Sequence, residues 1–138
     1  MTAITARLPY PPSVNHYWEL TVGRSRSGRR PIPMVRVSDS GQRYAASVRT
    51  ALEGVQTLAG RLLVRIVANP PDRRTRDLDN VLKCLLDSLT KAGLWEDDSQ
   101  IDMLVVARGA CEPGGSVNLL VEQLESEFRP RDARPTNE

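Results

Sequence analysis

The chain has 138 residues, of which 40% are apolar and 26% are charged, with a formal net charge of +2. This length fits one domain with a single hydrophobic core, and the composition is ordinary for a globular protein. No apolar run approaches the roughly 20 residues of a membrane span. The N-terminus lacks the basic start and apolar stretch of a signal peptide. We therefore expect a cytoplasmic protein that makes no membrane contact.

Side chains that bind soft metals are scarce. The two cysteines, Cys84 and Cys111, are too few for a disulfide framework or a cysteine cluster. We expect both to act as small apolar residues. His16 is the only histidine, which nearly excludes a zinc site built on imidazole. Any metal bound here must therefore be held by carboxylate oxygens.

All but two of the 19 basic residues are arginines, and they are unevenly distributed. Two clusters stand out, one at Arg24, Arg26, Arg29, Arg30 and Arg36, the other at Arg73, Arg74 and Arg76. No acidic residue occurs between Glu19 and Asp39. The planar guanidinium matches phosphate oxygens, so the clusters favour nucleic acid as a partner. On composition alone, arginine as a general solubilising charge explains them equally well.

In the first half of the chain, residues 2–10 alternate apolar and polar positions, as a strand does. Residues 21–33 are rich in Gly, Ser, Arg and Pro without periodicity, and we expect a mobile arm there. Residues 34–37 are a candidate short strand. Ser38 is expected to cap a helix over residues 39–55, whose apolar positions follow helical spacing.

In the second half, residues 62–68 form a β-rich run bounded by glycine and prolines. Residues 79–92 carry a leucine stripe at helical spacing, and Gly93 ends it. Residues 101–108 and 117–124 are two further strands. We expect these two to pair as a hairpin through the intervening Glu-Pro-Gly-Gly segment.

Together these elements predict one compact α+β (mixed α/β) domain over residues 1–124. It should contain a mixed sheet of four to five strands, with two helices covering one sheet face. Residues 125–138 are polar and rich in Pro and Arg. We expect this C-terminal tail to be disordered.

A D-x-D pair, Asp77 and Asp79, stands where a polar loop meets the predicted helix of residues 79–92. In extended backbone this spacing directs both carboxylates to the same side. Two hard oxygen donors suit Mg²⁺, because water and a substrate phosphate can complete its octahedron. Lys83 follows Asp79 by one helical turn and shares that flank.

Asp98 is a further candidate, but spacing alone does not bring it to the D-x-D pair. A helix rises about 1.5 Å per residue, so the chain leaves it roughly 20 Å from Asp79. Purely structural roles for these residues remain open. Asp77 or Asp79 could cap a helix, Asp79 and Lys83 could form an exposed ion pair worth under ~1 kcal/mol, and Asp97 with Asp98 could form an ordinary turn.

The stretch PDRRTRDLDNVLKCLLDSLTKAGLWEDDSQ, residues 71–100, resembles the RusA family of crossover-junction endodeoxyribonucleases. That family carries P-D-R-R-x-R-D-x-D-N-x-x-K, then a helix, then G-x-W-x-D-D-x-Q, and every one of these positions is present. A second match is L-P-x-P-P-S-x-N, found over residues 8–15. Two features depart from the pattern. Thr75 interrupts the arginine run, and residues 20–33 form a longer basic arm.

The resemblance implies a small mixed α/β domain that works as a homodimer on branched DNA. The implied enzyme is an Mg²⁺-dependent, structure-selective endodeoxyribonuclease that resolves Holliday (four-way) junctions by paired symmetric nicks, in recombination and repair. Asp77, Asp79 and Asp98 become the Mg²⁺ ligands, with Mn²⁺ as a substitute metal, and Lys83 becomes an essential cation beside them. By the same resemblance, Asp98 meets the D-x-D pair, and the protein associates with the nucleoid when bound to DNA.

The resemblance also assigns DNA contacts to two segments of the chain. The implied contact residues are Ser13, Val14, Asn15 and His16 in the first, and Arg73, Arg74, Thr75, Arg76 and Asn80 in the second. Two alternative functions stay open at this stage. One is a protein that binds branched DNA without cutting it, and the other is a less selective nuclease that acts on flaps or RNA.

Overall fold

The structure, a computed structural model, describes residues 2–125 of the chain. Its six strands are β1 (Ala3–Leu8), β2 (Trp18–Arg24), β3 (Pro31–Val37), β4 (Leu62–Asn69), β5 (Ile101–Arg108) and β6 (Ser116–Gln123). Four of them form a sheet in the order β1-β6-β4-β5, and β2 pairs with β3 in a separate two-stranded ribbon. In the main sheet β6 is antiparallel to β1 and β4, whereas β5 is parallel to β4. Residues 126–138 of the expected tail lie outside the described part of the chain.

The helices are α1 (Val14–Tyr17), α2 (Asp39–Ala51) and α3 (Leu82–Lys91), with short 3₁₀ helices at Leu78–Val81 and Asp98–Gln100. The α+β class and the mixed sheet are therefore confirmed. The two longer helices are the predicted ones, although α2 ends four residues early and α3 begins only after a 3₁₀ turn. Among residues 2–125, no helix is both long and apolar enough to cross a membrane.

The core lies between the two longer helices and one face of the main sheet. Val48 of α2 and Leu85 of α3 are fully buried against strand residues such as Ile66 and Val121. The opposite sheet face carries apolar side chains that remain partly exposed, among them Val105. Cys84 is buried in the core, as its expected apolar role requires, whereas Cys111 is exposed.

The cap predicted at Ser38 is confirmed, because the backbone N–H of Gly41 donates to the Ser38 hydroxyl at 3.1 Å. Gly41 also allows α2 to approach its neighbours closely. A Cβ atom placed there would lie 2.8 Å from both the Tyr17 ring and the Val37 side chain. The first turn of α2 is therefore packed directly against the buried Tyr17.

We expect Gly41→Ala to lower the free energy of unfolding by about 1–3 kcal/mol, since the added methyl overpacks this contact. Urea denaturation of the variant and the parent protein measures the change. Ser47→Ala, at an exposed position of α2, is the matched control and should change stability by under about 0.5 kcal/mol. Equal stability of Gly41→Ala and the parent would contradict the close packing.

The predicted hairpin of the last two strands is wrong. β5 and β6 do not pair, because β4 lies between them and pairs with both. β4 is apolar along nearly its whole length and is buried at six of its eight positions, which favours a central place in the sheet. The connection between β5 and β6 instead follows the end of β4, where the Gly109 N–H donates to the Ala68 carbonyl at 2.8 Å.

The mobile arm expected over residues 21–33 is also wrong. Residues up to Arg24 continue β2, and residues from Pro31 belong to β3. The two strands are antiparallel, with Leu20 opposite Val35 and Val22 opposite Pro33. A hydrogen-bonded turn joins them, in which the Ser25 N–H donates to the Arg30 carbonyl at 2.9 Å. The short strand expected at residues 34–37 is the end of β3.

Candidate active site

A cleft of about 500 Å³ brings together the two segments that the resemblance assigned to DNA contact. One wall comes from the loop after β1, and the other from the loop between β4 and α3. The lining residues are Tyr10, Pro11, Ser13, Asn15, His16, Pro71, Arg74, Thr75, Arg76, Asp77, Asn80 and Val81. Segments nearly 60 residues apart in the chain therefore form one concave surface beside the D-x-D pair.

Most of the residues expected to contact DNA line this cleft. They are Ser13, Asn15, His16, Arg74, Thr75, Arg76 and Asn80. Val14 and Arg73 are not among its lining residues, although Arg73 is exposed to solvent. The structure thus joins the two segments, while each residue's contact with DNA stays a prediction.

The first wall of the cleft is held by hydrogen bonds around α1. The Ser13 hydroxyl and the His16 Nδ1 atom lie 2.9 Å apart. The Ser38 hydroxyl donates to the His16 carbonyl at 2.5 Å, which ties this loop to the start of α2. Tyr44 on α2 donates its hydroxyl proton to the Pro9 carbonyl at 2.8 Å. Two helices and a strand end therefore position the polar side chains of this wall.

The second wall is organised around Asp72. Its carboxylate accepts from the Arg76 guanidinium at 2.6 Å and from the Arg74 backbone N–H at 2.9 Å. The Arg76 hydrogen bond, with the Arg74 N–H, lowers the pKa of Asp72 to about 2. The Arg76 guanidinium also lies 6.0 Å from the centre of the Tyr10 ring. Arg76 thus stabilises the loop, whereas the side chain of Arg74 is 84% exposed and lies 3.8 Å from the Asp72 carboxylate, a loose pair at the surface.

Asp77 and Asp79 are both exposed, and within residues 2–125 neither carboxylate has a hydrogen-bond or ion-pair partner. Asp77 has extended backbone angles and precedes the 3₁₀ helix Leu78–Val81, but its side chain makes no cap hydrogen bond. Asp77 therefore occupies the N-cap position of this 3₁₀ helix, as one of the alternatives expected, but it does not cap the helix through its side chain. Both carboxylates are therefore hydrated and available to bind a hard cation such as Mg²⁺.

Lys83 lies on the exposed side of α3 and pairs with a residue that the sequence reasoning missed. Its Nζ atom is 3.2 Å from the carboxylate of Asp87, so the alternative ion pair with Asp79 is not formed. The Tyr17 hydroxyl donates to the same carboxylate at 3.0 Å. The i,i+4 spacing of Lys83 and Asp87 on one helix was the signal for this pair.

After α3 the chain folds back, so that Asp98 lies near the helix instead of beyond its end. The left-handed Gly93 (φ 80°) ends the helical segment, and the 3₁₀ helix that begins at Asp98 contacts α3. Partial burial, followed by the hydrogen bond and charge of Asp97, raises the pKa of Asp98. The Asp87 charge raises it further and the Lys83 charge lowers it. Asp98 therefore lies within electrostatic range of the Lys83–Asp87 pair.

Asp97 has a structural role in the same turn. Its carboxylate accepts from the Ser99 backbone N–H at 3.0 Å, and the Gln100 side chain accepts from the Asp97 N–H at 3.1 Å. This reciprocal pair is a capping box. Gln100 also donates to the Leu58 and Gly60 carbonyls. The capping box therefore anchors the segment that carries Asp98.

Within the described residues, no three carboxylate, imidazole or thiol side chains are gathered closely enough to hold a metal ion. The donor chemistry of the D-x-D pair nevertheless fits a hard cation. Mg²⁺ needs only one or two protein carboxylates when waters and a phosphate supply its other ligands. Asp77 and Asp79 would be those carboxylates, and Asp98 as a third ligand stays a prediction.

Comparison with known proteins identifies the family. The family model for endodeoxyribonuclease RusA matches residues 9–119, a span that includes the cleft, the D-x-D pair, Lys83 and Asp98. The chain is 42% identical over 122 residues to the crossover junction endodeoxyribonuclease of Enterobacteria phage HK97, covering 86% of this chain and 93% of that protein.

Two further relatives carry the same name. The protein of Escherichia coli strain K12 is 35% identical over 130 residues, which cover 92% of this chain and all of the relative. The protein of Enterobacteria phage 82 is 36% identical over 123 residues, covering 87% of this chain and 94% of the relative. On the family match and these relatives together, the chain belongs to the RusA family of endodeoxyribonucleases.

Proposed function

We propose that this chain is an Mg²⁺-dependent, structure-selective endodeoxyribonuclease that resolves four-way DNA junctions by paired, symmetric nicks. The observation that carries the proposal is the cleft in which the two implied DNA-contact segments meet beside Asp77 and Asp79. Relatives named crossover junction endodeoxyribonuclease, at 35–42% identity, support the choice of branched DNA as the substrate. We accordingly propose that the protein acts on DNA in the cytoplasm.

The reaction is the hydrolysis of a phosphodiester bond. Arg74 and Asn80 would hold the backbone of the strand in the cleft, since both offer donors to phosphate oxygens. Lys83 would exchange its Asp87 partner for the scissile phosphate and offset the charge that builds on the phosphate oxygens. Asp77, Asp79 and Asp98 would hold the metal. When bound, Mg²⁺ supplies a water of lowered pKa and stabilisation of the leaving 3′ oxygen.

The decisive test compares three labelled substrates with the same sequence: a four-way junction, a linear duplex and a single strand. Each is incubated with the protein in Mg²⁺, in Mn²⁺ and in chelator. We expect paired nicks in the junction alone, in either metal and not in chelator. Binding of the junction without cleavage in Mg²⁺ would favour the non-cutting alternative, and equal cleavage of all three substrates would favour an unselective nuclease.

We also propose that the active unit is a homodimer. A four-way junction contains strands related by twofold symmetry, so a C2 dimer offers each of two strands its own site. The cleft beside the D-x-D pair, formed within residues 2–125, would then serve one strand in each subunit.

Sedimentation should therefore give twice the mass of the chain, and junction affinity should fall steeply with salt. Each phosphate that the protein neutralises contributes roughly 0.9 to the slope of log affinity against log salt on duplex DNA. Titrations of the junction at several salt concentrations, in chelator, measure that slope. A monomer that nicks one strand only, or an affinity that does not change with salt, would contradict this proposal.

A further inference from the structure

The β2–β3 ribbon is separate from the main sheet, and it begins beside the candidate active site. The indole ring of Trp18, the first residue of β2, has the Nζ atom of Lys83 6.0 Å from its centre. Each strand has seven residues, so at about 3.3 Å per residue the turn lies roughly 20 Å from Trp18. The ribbon therefore links the vicinity of Lys83 to a distant point on the surface.

One face of this ribbon is apolar and uncovered. Side chains alternate along a strand, and directly paired residues share a face, which places Trp18, Leu20 and Val22 with Val35 on one side. The exposed fractions are 81% for Leu20, 71% for Val22 and 62% for Val35. A contiguous apolar strip of this kind marks an interaction surface, and it starts where Trp18 approaches Lys83.

The charges of the ribbon differ between its base and its tip. At the base, Arg36 is paired with Glu19 and lies 3.3 Å from Asp39. The tip carries four arginines that have no carboxylate partner within the described residues, namely Arg24, Arg26, Arg29 and Arg30. Four unneutralised guanidinium groups in one turn suit a polyanion.

We propose that the β2–β3 ribbon is a second DNA-binding element that reads the branch of the junction. Its arginine tip binds the phosphates of a duplex arm. Its apolar face, Trp18, Leu20, Val22 and Val35, covers base-pair faces that are exposed at a branch point and absent from a continuous duplex. Apolar side chains are known to cover unstacked bases in this way. This proposal rests on the proposed function and names the part of the chain that would make it structure-selective.

The charge pattern favours DNA over a second copy of the chain as the occupant of this face. Glu19 is the only acidic residue within residues 18–37 and is already paired with Arg36, so a second ribbon could not neutralise the arginines of the first. The apolar face is also continuous with the surroundings of Lys83, where the DNA strand has to lie during cleavage. The same ligand therefore satisfies both the charged tip and the apolar face.

The apolar face is tested with the triple variant Leu20→Thr, Val22→Thr and Val35→Thr. Threonine is β-branched, as strands favour, so the ribbon should stay folded. The control, Val67→Thr with Val105→Thr, removes exposed methyl groups from the open face of the main sheet. Affinities for a junction and for a linear duplex are measured in chelator at one salt concentration. We expect the ribbon variant to lose about tenfold in junction affinity and under twofold in duplex affinity, and the control to lose neither.

The arginine tip is tested with Arg26→Gln combined with Arg29→Gln, against Arg43→Gln combined with Arg49→Gln on α2 as the control. For the tip variant, the slope of log affinity against log salt should fall by about 0.9 for each lost phosphate contact, on junction and duplex alike. The control should keep the parental slope. An unchanged slope in the tip variant would overturn this half of the proposal.

Sedimentation of every variant separates the remaining outcomes. If the threonine variant loses its dimer instead of its junction preference, a second copy covers the ribbon face and the proposal is wrong. If it keeps the parental preference for junctions, the face does not read the branch. Failure of the proposed function looks different, because the parent protein itself would then fail to cut junctions in Mg²⁺.

Discussion

Replacement of Asp77 with Asn is expected to abolish junction cleavage, with a loss of about 10³-fold or more, while junction binding is retained or becomes tighter. The carboxylate is exposed and has no partner within the described residues, so its removal disturbs little of the fold. Loss of a metal ligand removes several kcal/mol of charge stabilisation from the transition state. The neutral amide also repels phosphate less than the carboxylate does.

The experiment measures single-turnover cleavage and junction affinity in parallel. Asp79→Asn and Asp98→Asn should behave like Asp77→Asn. The control is Glu96→Gln, which removes one exposed negative charge two residues before Asp98. It should leave the cleavage rate within about twofold of the parent. If Asp77→Asn cleaves within a few-fold of the parent, the D-x-D pair does not hold the catalytic metal.

Lys83→Ala is expected to lower the cleavage rate by about 10²- to 10³-fold, because a preorganised cation at the scissile phosphate is removed. Its effect on folding should be small. The Lys83 side chain is 50% exposed, and Asp87, which is 22% exposed, keeps its hydrogen bond from Tyr17, so the free energy of unfolding should change by less than about 1 kcal/mol.

Lys91→Ala provides a matched control, since Lys91 is the only other lysine and lies exposed in the last turn of the same helix. Cleavage rates, urea denaturation and junction affinity are measured for both variants. Early unfolding of Lys83→Ala would show that the residue is structural, and a parental cleavage rate would show that it takes no part in the reaction.

The parts of the fold that local pattern predicted are those with one buried face. The leucine stripe of α3 and the Ser38 cap of α2 each reflect a local energetic requirement, and both were found where expected. In the same way, the alternation of apolar and polar residues in β1 predicted which of its side chains face the core. Elements of this kind can be predicted from sequence because one face must pack against the core.

The errors arose where non-local pairing or exposure decides the structure. The turn-like Glu-Pro-Gly-Gly segment suggested that β5 and β6 pair, but it carries no information that β4 lies between them. The apolar residues of β2 alternate with polar ones but face solvent, and the Gly, Ser, Arg and Pro residues that follow them indicated a loop rather than a second strand. Hydrogen bonding between two exposed strands, rather than core packing, holds it in place.

The candidate site was predictable in its residue types and less so in its arrangement. The D-x-D pair and Lys83 were found from spacing, and the resemblance implied that Ser13 and Asn80 contribute to one surface. The Lys83–Asp87 pair was not predicted, because Asp79 and Asp87 both lie four residues from Lys83 and spacing alone does not distinguish them. The segment that carries Asp98 folds back toward α3 and is held by the capping box of Asp97 and Gln100. Sequence spacing alone does not predict that this segment turns back.

The position of β6 has a consequence for the order in which the chain folds. β6 is the last strand of the described chain, yet it lies between β1, the first strand, and β4. During synthesis β1 therefore emerges long before its pairing partner does. The sheet can close only when residues 116–123 have left the ribosome, so earlier nascent chains expose an unpaired N-terminal strand. Such long-range pairing slows folding, and it makes truncation before Ser116 far more damaging than its small loss of length suggests.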